Sequence, residues 1–297
     1  MNSPSTFALY MDSVCTAVKN NSAISAFLSK MNEMPPMHLR IVTGIVLLVI
    51  LLLALLCQGL LLWIIIAVVS SIAMREFYLL FKEDFENSAI WGSGIFFGVI
   101  LLAVSYMTRT MPSLAMLAIV PLVLSWFLFS WAFIGITNFT QFALVLTGIC
   151  YIPLLLSVAF SLNAAEQLFV IGITILADTA AYFAGKYFGK RKIWCVVSPN
   201  KTVEGCLAGL IVALIWSVLH GACCGAKNLA VYAVVGIFLA LFSMLGDFFE
   251  SSLKRLKEVK DSGKLLPGHG GMLDRIDSLL FALPAYAVIK YFIPLFK

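Results

Sequence analysis

Charge is what this chain has least of. Only 12% of its residues are Asp, Glu, Lys or Arg, against 62% apolar, and the mean hydropathy is +1.01. A soluble domain carries about twice that charge. The 297 residues are therefore read as helices through a bilayer, not as two soluble domains. Histidine is scarce, at three, which argues against imidazole-based metal chemistry and leaves hard cations held by oxygen. The seven cysteines form no CxxC pair and several fall in apolar runs, so neither a zinc site nor a disulfide framework is indicated. There is no GxxxxGK[ST] phosphate loop, since GKYFGKR lacks the Ser or Thr. No Ser-His-Asp or Cys-His arrangement is apparent for acyl chemistry. The net charge of +5 is accounted for by membrane-topology signals, and nucleic acid is not an expected partner. Residues 1–36 lack the basic-then-apolar layout of a secretory signal and read as a polar cytoplasmic tail.

What fills the chain is hydrocarbon in lengths that suit a membrane. A span needs roughly 20 apolar residues. The run from Ile41 to Ala73 is too long for one helix and breaks at Cys57-Gln58-Gly59, giving two. Further candidates are 90–107, 113–134, 139–161, 167–186, 204–221, 229–246 and 279–295. The expectation is an all-α polytopic membrane protein of about nine helices. Residues 37–165 would form N-terminal membrane helices and 166–297 a catalytic region. With the N-terminus inside, 16 Lys and Arg fall on inside segments and 4 outside or at the C-terminal end. That bias sets the orientation and puts both basic loops on the cytoplasmic side.

Ionisable groups inside spans cost several kcal/mol, roughly 2.5–3.5 each by insertion scales, and are functional candidates by default. They cluster late in the chain. In ADTAAYFAGKYFGKRK, Asp178, Tyr182 and Gly185 share one helix face. SPNKTVEG opens a turn at Ser198-Pro199, offers Lys201 to a phosphate near a helix N-terminus, and sends Glu204 into an apolar run. In GDFFESSLKR, Asp247, Glu250 and Lys254 are spaced i, i+3 and i+7 on one face. Finally DSGKLLPGHGGMLDRID sets Pro267 to Gly271, a run that cannot be helical and whose amides could converge on an anion, before Asp274, Arg275 and Asp277. Carboxylates without histidines suit Mg²⁺, which takes one or two of them plus phosphate oxygens. With Lys and Arg flanking, this is equipment for phosphoryl or nucleotidyl transfer.

The pattern SxLKRxxxxKDxGxLLPGHGGxLDRxD, from Ser251 to Asp277, resembles the signature of the phosphatidate cytidylyltransferases, also called CDP-diacylglycerol synthases. DTAAYFAGKYFG and SPNKTVEG resemble that family's segments in the right order, so the motif-bearing likeness covers about residues 170–285. The resemblance implies transfer of the cytidylyl group of CTP to phosphatidate, giving CDP-diacylglycerol and pyrophosphate, with Mg²⁺ and room for a second cation. It implies Asp247 and Asp274 as leading metal ligands, with Asp277, Glu250 and Asp178 behind them. Lys201, Lys254, Arg255, His269 and Arg275 would contact phosphates. Ser198, Gly270, Gly271, Lys260, Glu204 and Tyr182 would line the substrate pocket. A homodimer in a bacterial inner membrane, its site facing the cytoplasm, completes the expectation. Two alternatives compete. A CTP-dependent polyisoprenoid or phytol kinase would need a base for its alcohol acceptor. An ion-coupled transporter would spread its buried acids over two symmetric halves, whereas here they crowd into the C-terminal part.

Overall fold

The structure is a computed structural model that describes residues 36–85, 88–108, 112–129, 139–263, 265–266 and 270–296. The chain divides into two compact units. One is Met1–Val49 with Pro267–His269, of which residues 36–49 are described; the other is Ile50–Leu266 with Gly270–Lys297. Among the described residues a helix falls in each of the nine expected segments. They are α1 (Pro36–Leu56), α2 (Leu60–Leu80), α3 (Ser88–Thr108), α4 (Pro112–Phe129), α5 (Phe139–Ile149), α6 (Ala164–Phe188), α7 (Val203–Cys224), α8 (Leu229–Leu256) and α9 (Leu273–Phe292). Beyond α5 the helical path continues through a wide π turn, Cys150–Leu154, a short α turn and a 3-10 turn ending at Ser161. Six stretches are long and apolar enough to cross a membrane: Leu60–Leu80, Ile90–Thr108, Phe139–Ser161, Ala164–Phe188, Val203–Cys224 and Leu229–Leu256. The chain is thus an all-α polytopic membrane protein in outline.

One element departs from that outline. Lys192–Trp194 (β1) and Ser198–Thr202 (β2) form a two-stranded antiparallel ribbon. The sequence reading had Ser198-Pro199 opening a turn; both residues instead begin β2. Strands of three and five residues are too short to show a period in a sequence. Proline is tolerated because a two-stranded ribbon leaves one edge of each strand unpaired.

The caps explain where the site-bearing helices begin. Asn163 and Glu166 form a capping box on α6: each backbone N–H donates to the other's side chain at 2.9 Å. The Thr202 hydroxyl accepts from Gly205 N at 3.2 Å and starts α7 directly out of β2. Asn228 starts α8 through Ala230 N at 3.1 Å. Helix α7 packs between α6 and α8, and α8 packs on α9. The α6–α7 seam is close because α7 offers glycine: a Cβ on Gly205 would stand 2.6 Å from Ala181 O, and one on Gly209 would stand 2.9 Å from Ala177 O. At the end of the bundle away from the ribbon, Phe169 gathers Tyr232, Tyr286, Phe296 and His220 into an aromatic core.

Candidate active site

Seven of the expected side chains form one string across α6, β2, α8 and α9. Helix α8 brings Asp247, Glu250 and Lys254 on one face. Lys254 Nζ lies 2.5 Å from Glu250 Oε2 and 2.7 Å from Asp274 Oδ1 at the start of α9. Glu250 is wholly buried, and its contact with Lys254 is an ion pair without an aligned hydrogen bond. One turn earlier, Asp247 Oδ2 meets Lys201 Nζ of β2 at 2.5 Å, and its Oδ1 accepts from Ser251 Oγ at 3.2 Å. The same ammonium lies 4.1 Å from the centre of the Phe248 ring, a favourable place for a cation. Asp277 lies within electrostatic reach of Asp247, Asp178 and Lys254. Asp178 of α6 accepts from Ser278 Oγ at 3.0 Å. The crossing of α8 and α9 is tight here because residue 246 has no side chain: a Cβ on Gly246 would fall 2.4 Å from Asp277 O.

Asp274 also organises the glycine loop. Its Oδ2 accepts from Gly271 N at 2.8 Å and from Ser262 N at 3.1 Å. Burial works to raise this carboxyl. Its contacts with Glu250, with the Lys254 ammonium and with Gly271 N outweigh burial and hold it below the usual carboxylate range. Gly270 has φ +86° and closes a bridge to Leu266, its N–H donating to Leu266 O at 3.1 Å. The amides that the sequence reading gave to an anion are thus used internally at Gly270 and Gly271. Residues 267–269, with the expected His269, lie outside the described residues.

Other expected contacts lie apart from the string. Glu204 accepts from Lys190 N at 3.0 Å and Arg191 N at 3.2 Å, which ties the ribbon to α7. Arg255 donates from Nε to Val197 O and from Nη1 to Val259 O, both at 3.3 Å. Tyr182 is exposed against Phe183, and Lys260 and Arg275 are exposed. Ser198 sits at the start of β2, paired with Trp194.

Sequence reasoning passed over two residues from the elements before α6. Glu76 of α2 is buried, accepts from Leu273 N at 2.9 Å, and faces Gly263 and Gly271 so closely that a Cβ on either would collide with it. A carboxylate inside the 60–80 span was a signal available in the sequence. Tyr151, in the π turn, packs on Phe249 within electrostatic reach of Asp277, Glu250 and Asp247; Pro153 marked a break there but did not show where the ring would pack.

Five carboxylates therefore surround two ammonium groups. Among the described residues no three acids, cysteines or histidines converge into a ready-made metal cage. Mg²⁺ seldom uses such a cage; it takes one or two carboxylates and completes its shell with substrate phosphates and water. An excess of buried acid, with Glu250 lacking an aligned donor, fits an ion of that kind.

The family described as the Cytidylyltransferase family matches residues 38–293. Among curated relatives, the phosphatidate cytidylyltransferase of Bacillus subtilis is 49% identical over 108 residues, 36% of this chain and 40% of that protein. Those of Staphylococcus saprophyticus and Staphylococcus haemolyticus are 46% identical over 124 residues and 45% over 123, each covering 41% of this chain and 47% of the relative. The matched stretch spans less than half the length of each of these relatives.

Proposed function

This chain belongs to the cytidylyltransferase family, and on that premise we propose that it transfers the cytidylyl group of CTP to phosphatidate, yielding CDP-diacylglycerol and pyrophosphate. The observation that carries this reading is the acid-rich string with two lysines fixed at Asp247 and at Glu250–Asp274. A phosphate oxygen of phosphatidate attacks the α-phosphorus of CTP, the new P–O bond forms, and the bond to the β-phosphate oxygen breaks to release pyrophosphate. The nucleophile's second pKa is about 6, as for comparable phosphate monoesters, so at neutral pH it is already an anion and no general base is required. The difficulty is bringing two anions together.

Lys201 and Lys254 answer part of that difficulty. Each is anchored by a carboxylate and so is pre-oriented to meet phosphate oxygens without ordering a long side chain at the moment of reaction. Asp247 and Asp274 would hold a divalent cation, Mg²⁺ by the donor set, with Asp277, Glu250 and Asp178 behind them. When bound, such an ion screens the phosphate charges and favours departure of pyrophosphate. Ser198, at the head of β2, with Gly270 and Gly271, would line the nucleotide side. The lipid phosphate arrives from the leaflet.

Nine crossings with the N-terminus inside, in an inner membrane, would put the string on the cytoplasmic face where CTP is available; the 16-to-4 division of Lys and Arg supports this. A homodimer is proposed on family grounds alone. The test uses purified protein in detergent with phosphatidate, labelled CTP and Mg²⁺, with and without EDTA. A lipid-soluble cytidine product with equimolar pyrophosphate, lost on chelation, is expected. Release of CDP with a phosphorylated lipid alcohol would replace this reading with a kinase. Folded protein that turns over no CTP would remove both.

A further inference from the structure

Among the described residues four tyrosines are buried: Tyr78, Tyr151, Tyr232 and Tyr286. Three of their hydroxyls have an acceptor. Tyr78 donates to Val145 O at 3.0 Å, Tyr232 to Leu295 O, and Tyr286 to Glu166 Oε1 at 3.2 Å. The Tyr151 hydroxyl has no hydrogen-bond partner among the described residues, although the residue is only 5% exposed. A buried hydroxyl left without a partner is a standing penalty, and what surrounds this one indicates its purpose.

Tyr151 lies in the π turn Cys150–Leu154, two residues before Pro153. Proline has no N–H to close an α-type turn, and a π turn re-aims the side chains it carries. The ring is wedged edge-on against Phe249 of α8, centroids 5.0 Å apart, and tilted against Phe77 of α2 at 6.2 Å. Phe249 lies between Asp247 and Glu250 on α8, and the carboxylates of Asp277, Glu250 and Asp247 are all within electrostatic reach of the hydroxyl. None of the three takes its proton: Asp247 faces Lys201 and Ser251, Glu250 faces Lys254, and Asp277 Oδ1 accepts from Ser278 N at 2.7 Å. The site thus holds a buried donor beside an acidic cluster, without an oxygen to receive it.

We propose that Tyr151 is a substrate-contacting residue whose hydroxyl donates to a phosphate oxygen brought into the acidic cluster. The inference rests on the cytidylyl-transfer reading, and that chemistry provides two sources for the oxygen, the nucleotide and the lipid. Because the ring comes from the path after α5, the elements before α6 contribute a substrate contact as well as the loop anchor Glu76.

The test compares full-length wild type and Tyr151→Phe in detergent. Phenylalanine keeps the packing on Phe249 and deletes only the hydroxyl. Without ligand, the variant is expected to melt at or slightly above the wild-type temperature, because no hydrogen bond is lost. Its kcat/KM is expected to fall about 10- to 100-fold, the range for a lost hydrogen bond to a charged acceptor. Its melting shift with Mg–CTP or with phosphatidate should shrink. A loss confined to CTP assigns the nucleotide phosphate, and a loss confined to phosphatidate assigns the lipid. Wild-type kinetics and shifts would overturn the proposal, as would a ligand-free variant melting several degrees low, which would make the hydroxyl structural. A wild type that shifts with Mg–CTP yet transfers nothing to phosphatidate rejects the acceptor, while the nucleotide shift still tests Tyr151. A wild type that neither binds nor turns over CTP rejects the reading beneath it.

Discussion

Replacing Lys254 with methionine probes the string at its most buried point. The lysine side chain is 12% exposed and its partners Glu250 and Asp274 are 0% and 9% exposed. Methionine fills the stem's space and removes only the charge, leaving two carboxylates facing each other without a cation. Breaking a buried pair by removing one partner costs about 3–5 kcal/mol. At roughly 2–4 °C per kcal/mol for a larger domain, melting should fall by about 6–20 °C. The pH dependence should also change sign. In the wild type, Asp274 is held below its ordinary range, so its contribution is present above the unfolded pKa and is lost as pH falls through the folded one. In Lys254→Met, burial acts on Asp274 unopposed by the ammonium. Its pKa rises, and stability declines as pH rises from about 5 to 8. Melting in detergent, followed by intrinsic fluorescence across that pH range, checks both statements. Glu250→Gln added to Lys254→Met should recover part of the loss. A single variant melting within about 1 °C of wild type at every pH would refute the reasoning that Lys254 neutralises this pair.

Three further outcomes are expected. Asp247→Asn should abolish turnover yet insert and melt near wild type, because Asp247 is part-exposed and Asn retains an acceptor for Ser251; near-normal kcat would end its assigned role. Gly246→Ala should cost about 1–3 kcal/mol by overpacking, since the added methyl would meet Asp277 O at 2.4 Å and backbone cannot step aside as a side chain does; unchanged melting and activity would show the α8–α9 crossing to be looser. Glu76→Ala should lower stability by about 1–3 kcal/mol by stranding the Leu273 N–H, while Glu76→Gln, which keeps an oxygen at that place, should lose much less; equal melting of the two variants would rule out Glu76 as the anchor of the loop.

Hydropathy anticipated a polytopic all-α chain, and six of its helical stretches are long and apolar enough to cross a membrane, because a bilayer leaves a chain no other way to satisfy its backbone. Charges in or beside apolar spans likewise singled out Asp178, Lys201, Asp247, Glu250, Lys254, Asp274 and Asp277, because ionisable groups are costly there, and the fold brings these seven into one string. The i, i+3 and i+7 spacing of Asp247, Glu250 and Lys254 even put three of them on one face in advance. Spacing along a helix is silent, however, about what another helix brings. That Lys201 reaches Asp247 depends on a ribbon too short to have a pattern. That Glu204 and Arg255 spend themselves on the ribbon and its flanks, while Glu76 and Tyr151 arrive from elements before α6, depends on contacts between residues up to 197 positions apart. Local sequence determines which segments enter the membrane and which charges they carry. Tertiary packing decides which of those charges neutralise one another and which are left without a partner, because pairing is settled by distances across helices.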